Sequence, residues 1–384
     1  MDIIPEDYHS TKTLKNKEEI EDFVRGCTFF GTGGGGCPED GLKQLMRVYE
    51  EGCEIGWYDV SELPDDAMTV CAYGMGSIAP QTTENIEEMK SLGLMKETIK
   101  YKLAAAIKEM EKHTGKKIEI IVPLEIGGAN TPDPVATAAH MGIKVVDGDY
   151  SGGRAIPEIT QTTPHIHGES MIPLSSVDQW GNTCIIKKAV NNQVAEKIGK
   201  LISILAYGKL AGNATYFLKA GVMKKLVVPS TLSRAFAVGK LIRTTREADG
   251  DPVETARKFV SGWLLFKGKV TKKETEDKEG YYWGTNTIEG VDKFEGHTFK
   301  IWFKNENHIS WFDDKPFATS PDLICVVNSQ SGEPIANPSI KVGENIAILG
   351  VSANEIFRSK VGLEVLGPRH FGFDIDYIPI EKRV

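Results

Sequence analysis

The sequence predicts a three-layer α/β/α, Rossmann-like domain followed by a β-barrel-like domain. The first observation is in residues 120–168, where an apolar strand, a glycine turn, a small-residue helix and a second apolar strand follow one another. This order is a βαβ unit, which builds parallel sheets. The second observation is a change at Trp263, after which short alternating runs are separated by polar turns. We therefore expect domains at 1–245 and 246–384, although the helical segment 190–260 could belong to either.

Composition narrows the possible partners of the chain. With 384 residues, a formal net charge of −8 and no Lys/Arg-rich run, the sequence predicts no nucleic-acid partner. It contains no stretch of about 18 apolar residues, so no membrane span is expected. The six cysteines are dispersed without a CxxC pair, and the N-terminus lacks the order of a signal peptide. We therefore expect a reduced, cytoplasmic protein, and a homo-oligomer on general frequency.

The first elements are a helix over Lys17–Arg25 that stops at Gly26, and then a glycine-rich loop. Five glycines occupy residues 31 and 33–36, and Pro38 begins a helix predicted to reach Glu51. A glycine loop that begins a helix can direct several N–H groups at one anion or oxyanion. A purely structural turn is the alternative. The loop lacks the lysine and hydroxyl of a Walker A motif, so no nucleotide cofactor is expected.

Later elements follow from periodicity and turn residues. Glycine turns follow three predicted strand ends in all. Two of these strands are Met68–Tyr73 and Lys117–Leu124. The predicted helices are Ile86–Glu111, Val135–Met141, Asn192–Leu210 (with Val194, Ile198, Ile202 and Leu205 as its apolar positions), Thr231–Arg243 and Asp251–Val260; a hairpin is predicted over Asp178–Val190. The tail 366–380 is either a terminal strand or a segment that returns to the cleft.

Four carboxylates lie near predicted strand ends: Glu125, Asp147, Asp149 and Glu158. Carboxylates brought together in a partly closed site raise one another's pKa or hold a cation. They are thus candidates for an acid/base pair or for metal ligands. The alternative is a hydrogen-bonded loop network in which Arg154 is the counter-ion.

His165 and His167 form an H-x-H pair. If the segment TPHIHG is extended, both imidazoles face the same side and can bind one ion. With Asp147 or Asp149 they would complete three ligands and leave an open position, as in a catalytic zinc site. The sequence therefore predicts a divalent metal, zinc first, with an exposed histidine pair as the alternative.

Five motifs in order and spacing carry a family resemblance: GTGGGGCP, EIGGAN, VVDGDYSGGRAIPEI, SGEPI and GPRHFGFD. From about Glu18 to Pro379 the chain resembles the S-methyl thiohydantoin desulfurase family. The resemblance implies an N-terminal three-layer α/β domain and a C-terminal β-barrel. It also implies hydrolysis that replaces a sulfur substituent on a hydantoin-like ring and releases a thiol. The histidine pair lies outside the family pattern.

The resemblance carries over to individual residues. It implies catalytic roles for Asp149, Glu158, Arg154 and Glu125, and substrate contacts from Gly33, Gly34, Gly35, Gly36, Gly128 and Asn130. The expected partner is a small ring molecule. Two alternatives stay open at this point. One is a hydrolase of cyclic amides such as hydantoins, lactams or oxoproline, and the other is a nucleotide- or metabolite-binding protein without turnover.

Overall fold

The computed structural model describes residues 11–384; residues 1–10, which include the start of the N-terminal segment used above, lie outside this range. The helices are α1 (Lys17–Phe30), α2 (Pro38–Glu50), α3 (Thr83–Ser91), α4 (Lys102–Thr114), α5 (Pro132–Met141), α6 (Thr163–Ile166), α7 (Asn192–Ile204), α8 (Ala220–Met223), α9 (Thr231–Glu247), α10 (Pro252–Phe259), α11 (Glu355–Arg358) and α12 (Lys360–Leu366).

The strands belong to two large sheets and two small pairs. They are β1 (Lys12–Leu14), β2 (Ile55–Trp57), β3 (Met68–Met75), β4 (Ile120–Pro123), β5 (Lys144–Val145), β6 (Gly148–Asp149), β7 (Leu174–Val177), β8 (Thr183–Ile186), β9 (Ala211–Lys219), β10 (Val228–Pro229), β11 (Trp263–Lys278), β12 (Tyr281–Gly290), β13 (Thr298–Lys304), β14 (Glu306–Phe312), β15 (Lys315–Thr319), β16 (Leu323–Asn328) and β17 (Asn345–Val351).

The first large sheet has six strands in the order β5-β4-β3-β9-β7-β8. β4, α5 and β5 form the predicted parallel βαβ unit, and β3 is also parallel to β4. β9 runs antiparallel to both β3 and β7. β7 and β8 form a hairpin over residues 174–186, so a hairpin is present but begins four residues before the predicted Asp178–Val190. A mixed α/β sheet is therefore confirmed. The Rossmann-like description is not confirmed, because three of the five strand pairings in this sheet are antiparallel.

Apolar residues cover both faces of this sheet. Along β3, Val70 and Ala72 pack into a core formed mainly with α1, α2, α4 and α5, whereas Cys71 and Tyr73 pack into a second core that includes α8. This alternation follows from the two-residue period of a strand. β3 is thus a central, fully buried strand, and its carboxyl end leads into the interior between the two halves of the chain.

The second large sheet contains seven antiparallel strands in the order β15-β14-β13-β12-β11-β17-β16 and curls into a half-barrel. The predicted β-rich region from Trp263 is therefore confirmed in its coarse form. Residues 245 and 246, the predicted domain boundary, lie within the continuous helix α9, so this boundary stays a prediction.

Helix α1 connects the two sheets through one shared core. Its residues Phe23 and Cys27 belong to the same buried cluster as Cys325 of β16 and Leu349 of β17. The predicted stop at Gly26 is wrong, since α1 continues to Phe30. A Cβ at Gly26 would lie 1.6 Å from the carbonyl oxygen of Ala235 in α9. This glycine therefore permits a close helix crossing, and the glycine-rich loop that follows α1 lies between the two sheets.

Several other elements differ from their predictions. The helix expected over residues 86–111 is two helices, α3 and α4, and α4 ends at Gly115 as expected, with a left-handed C-cap. The tail is a short 3₁₀ turn over Pro368–Phe371 and irregular chain, not a strand. No helix within residues 11–384 is long and apolar enough to span a membrane.

Candidate active site

The glycine-rich loop packs between two partner segments. The N–H of Gly34 donates to the carbonyl of Gly31, and the N–H of Gly35 donates to Oε1 of Glu306 at 3.0 Å. The carbonyl of Gly35 accepts from the N–H groups of Ala129 and Asn130. A Cβ at Gly35 would lie 2.4 Å from the Cα of Gly127. The loop is therefore glycine-rich because backbone and carboxylate approach it closely, and two of its N–H groups are already engaged within the protein.

Glu306 is a buried carboxylate at the start of β14. It follows Asn305, which has a left-handed φ of 57° and forms the corner between β13 and β14. Its Oε1 accepts the bond from Gly35, whereas Oε2 is buried without a hydrogen-bond partner among the described residues. Burial and the nearby charge of Glu125 raise the pKa of Glu306 to about 8. A carboxyl of this kind can hold a proton at neutral pH.

Glu125 follows β4 and is also buried. Its Oε1 accepts from Nδ2 of Asn130 at 2.8 Å, and its Oε2 accepts from the N–H of Ile156 at 2.8 Å. Asn130 in turn exchanges hydrogen bonds with the backbone of Gly74 at the end of β3. Burial raises the pKa of Glu125 to about 7, against the effect of these hydrogen bonds. Two strand ends thus meet at one carboxylate, as expected for a site at the carboxyl edge of parallel strands.

Glu125 and Glu306 line the same narrow pocket, whose volume is about 30 Å³. Since a water molecule needs roughly 10–15 Å³ of such space, the pocket has room for about two waters. Further lining residues are Gly35, Gly36, Tyr73, Asn130, Glu196 and Lys200. The Tyr73 hydroxyl is buried and has no partner among the described residues. This pocket therefore combines paired acids, a cation and unsatisfied polar atoms.

Glu196 and Lys200 reach the pocket from α7. Burial raises the pKa of Glu196 to about 7, and the charge of Lys200 opposes this shift. Burial lowers the pKa of Lys200, and its ammonium lies 3.9 Å from the ring centroid of Tyr281. The charge of Lys200 also lowers the pKa of both Glu125 and Glu306. Lys200 therefore favours the ionised state of every acid in the pocket.

Glu158 forms an ion pair with Lys304 and contacts the ring of His370, and its predicted catalytic role stays untested. Its carboxylate contacts Nζ of Lys304 at 2.5 Å and Nε2 of His370 at 3.2 Å. Burial alone would raise its pKa, but His370 and Lys304 hold that pKa at about 2. His370 brings the tail to Glu158, but no residue of 366–380 lines the narrow pocket, so a return of the tail to the cleft stays a prediction. A carboxylate with so low a pKa is a weak proton acceptor, which disfavours Glu158 as a base.

Asp147 and Asp149 stabilise local structure. Asp147 accepts from the N–H groups of Leu232 and Ser233 and from the Ser233 hydroxyl, so it caps the first turn of α9. Asp149 accepts from the N–H groups of Ser151 and Gly153 and holds its own loop. Burial raises the pKa of each to about 6. Neither residue lines the narrow pocket, and their predicted catalytic roles stay untested.

Arg154 is buried beneath the site. Its Nε donates to the carbonyl of Ala155 and one terminal nitrogen donates to the carbonyl of Pro321 at 2.5 Å. The other terminal nitrogen is buried without a partner among residues 11–384. Burial lowers the pKa of Arg154 to about 10, while Glu306 raises it. Arg154 therefore supplies positive charge near Glu306, and it is not a lining residue of the pocket.

The zinc prediction assumed that the segment around His165 and His167 is extended, and this assumption is wrong. Residues 163–166 form the short helix α6 and not an extended strand. Nδ1 of His165 contacts Nδ2 of Asn192, and Nδ1 of His167 contacts the carbonyl of Thr163. Within the described part of the chain, no group of three or more His, Cys, Asp and Glu side chains is placed to hold a metal ion. The residues predicted as metal ligands do not form one site, and metal binding stays a prediction.

A broad cleft of about 520 Å³ adjoins the narrow pocket. Ile78, Asn130 and Leu210 line both cavities. The junction formed by these three side chains connects the paired carboxylates to open space large enough for an organic ligand.

Two family models match consecutive parts of the chain. The S-Me-THD-like N-terminal domain matches residues 18–188, and the S-Me-THD-like C-terminal domain matches residues 190–380. The chain belongs to the S-methyl thiohydantoin desulfurase family. The family name is that of an enzyme and suggests desulfurisation of a thiohydantoin.

Other comparisons concern the fold. A crystal structure of a protein from Chromobacterium violaceum, from a structural genomics programme, matches with a TM-score of 0.76 and 20% identity, covering 96% of this chain and 100% of that one. At this identity the likeness shows the fold alone. No curated protein matches the chain.

Sequence reasoning missed four pocket residues of this family member: Tyr73, Glu196, Lys200 and Glu306. Glu306 lies in the polar run KNENH inside a stretch that otherwise alternates as a strand, and this interruption was a usable signal. Glu196 and Lys200 are four residues apart on a helix, the spacing of an ordinary surface ion pair. Only their burial distinguishes them from such a pair.

Proposed function

We propose that this chain is a hydrolase that replaces the alkylthio group of an S-methyl thiohydantoin-type ring by water. The single observation that carries the proposal is the buried pair of Glu125 and Glu306 in one narrow pocket, with Oε2 of Glu306 unpartnered. The family name supplies the substrate class. Overall, the ring carbon that carries the sulfur and a C=N bond takes up one water, and the products are a ring carbonyl with an N–H group and methanethiol.

The pair supplies a base and an acid at the same pH. With pKa values near 7 for Glu125 and 8 for Glu306, the two carboxyls share about one proton around pH 7.5. Such a pair titrates as a unit, and its two pKa values belong to the pair rather than to one residue. Lys200 stabilises the single negative charge that remains.

The reaction has two steps, and each step needs two proton transfers. In the first step, the ionised carboxylate takes a proton from water as the oxygen attacks the ring carbon, and the protonated carboxyl gives its proton to the ring nitrogen. In the second step, the carboxylate left by the acid takes the proton of the new hydroxyl as the carbon–sulfur bond breaks, and the carboxyl formed from the base gives its proton to the departing sulfur, so both groups return to their starting states. Positioned acid and base groups of this kind contribute about 10²–10⁴-fold to a rate.

The pocket volume supports a separate position for the water and for the ring. Space for about two waters suits the nucleophile but not a five-membered ring. The ring is therefore assigned to the junction of Ile78, Asn130 and Leu210, with its sulfur-bearing carbon facing the carboxylates. Asn130, which is held by Glu125 and by Gly74, can contact a ring heteroatom there.

The experiment that tests this proposal follows both products in ¹⁸O-labelled water. A 2-methylthio-imidazolone, which is an S-methyl thiohydantoin, is incubated with the enzyme. We expect free thiol and a hydantoin that carries one ¹⁸O at the new carbonyl. A ring-opened acid without thiol release would instead establish a cyclic amide hydrolase, and stabilisation by nucleotides without turnover would indicate a binding protein.

Metal dependence is tested in the same preparation. Elemental analysis per chain, before and after chelation, measures the divalent ion predicted from the sequence. About one ion per chain, lost in an Asp149→Asn variant, would assign that residue as a ligand in spite of its hydrogen bonds with Ser151 and Gly153.

A further inference from the structure

Two buried polar atoms of the narrow pocket have no partner in the protein. Among the described residues that line the pocket, Oε2 of Glu306 and the hydroxyl of Tyr73 are the buried side-chain atoms without a hydrogen bond. Buried polar groups in folded proteins are nearly always hydrogen-bonded to the protein or to an ordered water. The pocket volume of about 30 Å³ holds about two waters. One water can therefore serve both atoms.

Other polar side chains of the pocket are already engaged. Glu125 accepts hydrogen bonds on both carboxylate oxygens. Oε2 of Glu196 accepts from the N–H of Ile159 at 3.1 Å, and Asn130 is held by Glu125 and by Gly74. The Tyr73 hydroxyl is thus a neutral hydrogen-bonding group of the pocket that the protein leaves open to a water.

The fold fixes the position of the Tyr73 hydroxyl. Tyr73 lies near the carboxyl end of β3, where its backbone pairs with Asn213 of β9. The next residue, Gly74, exchanges two hydrogen bonds with the side chain of Asn130. The Tyr73 ring is buried in the second core of the first large sheet. A hydroxyl on such a ring can hold a reacting water in one place, which is what an attack of defined geometry requires.

The Tyr73 phenol keeps its proton throughout the reaction. Burial raises the pKa of Tyr73 well above its usual range, and the nearby charge of Glu196 raises it further. Tyr73 therefore cannot take the proton of the water, and Glu125 and Glu306 remain the groups that transfer protons. A neutral tyrosine hydroxyl can still accept one hydrogen bond and donate another. Its chemistry suits the placement of a water rather than proton transfer.

We propose that Tyr73 is a further catalytic residue, whose hydroxyl holds the attacking water beside Glu306. This assignment rests on the proposed function for the reaction itself. The water gives one proton to the ionised carboxylate of the pair, and its second hydrogen stays bonded to the Tyr73 oxygen while the water oxygen attacks the ring carbon. The hydroxyl of Tyr73 donates its own hydrogen to the second water for which the pocket has room. No covalent bond to Tyr73 forms or breaks.

Tyr73→Phe removes this hydroxyl and keeps the ring. We expect kcat for thiol release to fall by about 10²-fold. KM should not change, because Tyr73 does not line the broad cleft or its junction with the pocket, and both limbs of the pH profile should remain, because the carboxyl pair is intact. Tyr150→Phe is the matched control. The Tyr150 hydroxyl is also buried without a partner among the described residues and its ring belongs to the same core, but Tyr150 lines neither cavity. That variant should keep full activity, and thermal unfolding of both variants checks that the fold persists.

A second measurement needs no turnover and separates this inference from the proposed function. In high-resolution crystal structures without substrate, we expect an ordered water hydrogen-bonded to both the Tyr73 hydroxyl and Oε2 of Glu306, and its loss or displacement in Tyr73→Phe. Such a water without thiol release from any ring would sink the proposed reaction and support Tyr73 as the group that holds the water. Thiol release with equal kcat values for Tyr73→Phe and Tyr150→Phe would support the reaction and overturn the role of Tyr73. A raised KM with unchanged kcat in Tyr73→Phe would also overturn it, as would a pocket without a water between the two atoms.

Discussion

The N–H of Gly35 donates to Oε1 of Glu306 at 3.0 Å, although 271 residues separate them. This bond joins the loop after α1 to the first residue of β14, and so connects the two family domains at the pocket. It also orients the carboxyl, because it engages one oxygen and leaves Oε2 free of partners within the described chain. The glycine-rich loop therefore acts on the candidate acid as well as on any ligand.

Replacement of Glu306 by glutamine tests the carboxyl pair directly. The amide oxygen can still accept from Gly35, so the fold should persist. The side chain can no longer exchange a proton, so we expect kcat/KM to fall by about 10²–10⁴-fold. Thiol release and thermal unfolding are measured side by side, with the exposed Glu289→Gln as control. Activity within a few-fold of the unmodified enzyme would remove Glu306 from the reaction.

Gly34→Ala tests whether the loop fixes Glu306. A Cβ at Gly34 would lie 2.1 Å from Oε1 and 2.5 Å from Cδ of Glu306, so the buried carboxyl must move. We expect a loss of activity comparable to Glu306→Gln and a loss of about 1–3 kcal/mol in the free energy of unfolding. In the control Gly52→Ala, the new Cβ meets nothing within 4 Å and only the left-handed φ of 78° is strained. That variant should lose about 1 kcal/mol and keep full activity.

The pH dependence of kcat/KM should be bell-shaped, with its maximum between about 7 and 8. One proton must be present on the pair, and the pKa values near 7 for Glu125 and 8 for Glu306 bound that interval. A Glu306→Gln variant with residual activity should lose the alkaline limb, because its acid no longer titrates. A wild-type profile that is flat from pH 6 to pH 9 would contradict the pairing.

The free energy of unfolding should also depend on pH, and the raised pKa of Glu306 determines the sign of that dependence. Burial raises the pKa of Glu306 from 4.5 to about 8, so between these values the folded state binds more protons than the unfolded state. Its contribution to stability is therefore complete below about pH 4.5 and is lost as pH rises through about 8. Relative to the unmodified enzyme, Glu306→Gln should gain stability over this interval, by on the order of a few kcal/mol. Denaturant unfolding at several pH values measures it.

The sequence predicted correctly those helices and strands whose ends are set by neighbouring turn and cap residues. The βαβ unit and the helices that begin at Pro38 and Asp251 all follow from nearby turn and cap residues. Helix α7 shows where this reasoning fails. Its predicted apolar positions include Val194 and Leu205. In the structure α7 buries Glu196 and Lys200, whereas Val194 and the C-cap residue Leu205 are exposed at 37% and 61%.

The candidate site is formed by residues that are far apart in the sequence, and it was therefore only partly predicted. Glu125 and Asn130 were found because both follow a strand within one motif, and the structure brings them together. Glu306 joins them only because the half-barrel packs against the loop after α1, and no spacing in the sequence records that contact. Asp147 and Asp149 were chosen because they lie near a predicted strand end. In the structure, backbone N–H groups, which no side-chain pattern reveals, already bind them.

Gly26→Ala tests the close crossing of α1 and α9. From the sequence, Gly26 was interpreted as the end of the first helix. The added Cβ would lie 1.6 Å from a backbone oxygen of α9, and backbone cannot move as a side-chain end can. We expect a loss of about 3 kcal/mol or more in the free energy of unfolding. Gly199→Ala in α7 is the matched control, because its Cβ would meet only the flexible Met75 side chain, with Sδ at 2.9 Å. Equal costs for the two variants would contradict the crossing.

Lys304→Met tests the ion pair that joins Glu158 to β13. The Lys304 and Glu158 side chains are only 10% and 18% exposed and lie 2.5 Å apart, so the variant leaves a largely buried carboxylate with His370 alone. We expect a loss of about 2–4 kcal/mol at pH 8. Lys300→Met on the same strand removes an exposed pair with Asp314 at the similar distance of 2.6 Å, and should cost less than about 1 kcal/mol.

A double variant separates this ion pair from packing of the lysine stem. In Lys304→Met/Glu158→Gln no buried charge is left, so the loss should be smaller than the sum of the single losses. The low pKa of Glu158, about 2, also determines how the stability provided by the ion pair depends on pH. The stability that the pair provides is present above about pH 4.5 and is lost as pH falls through about 2, so the cost of Lys304→Met should shrink below pH 4. A cost that stays constant from pH 8 to pH 3 would assign the effect to lost packing against Tyr281 and Trp283 instead.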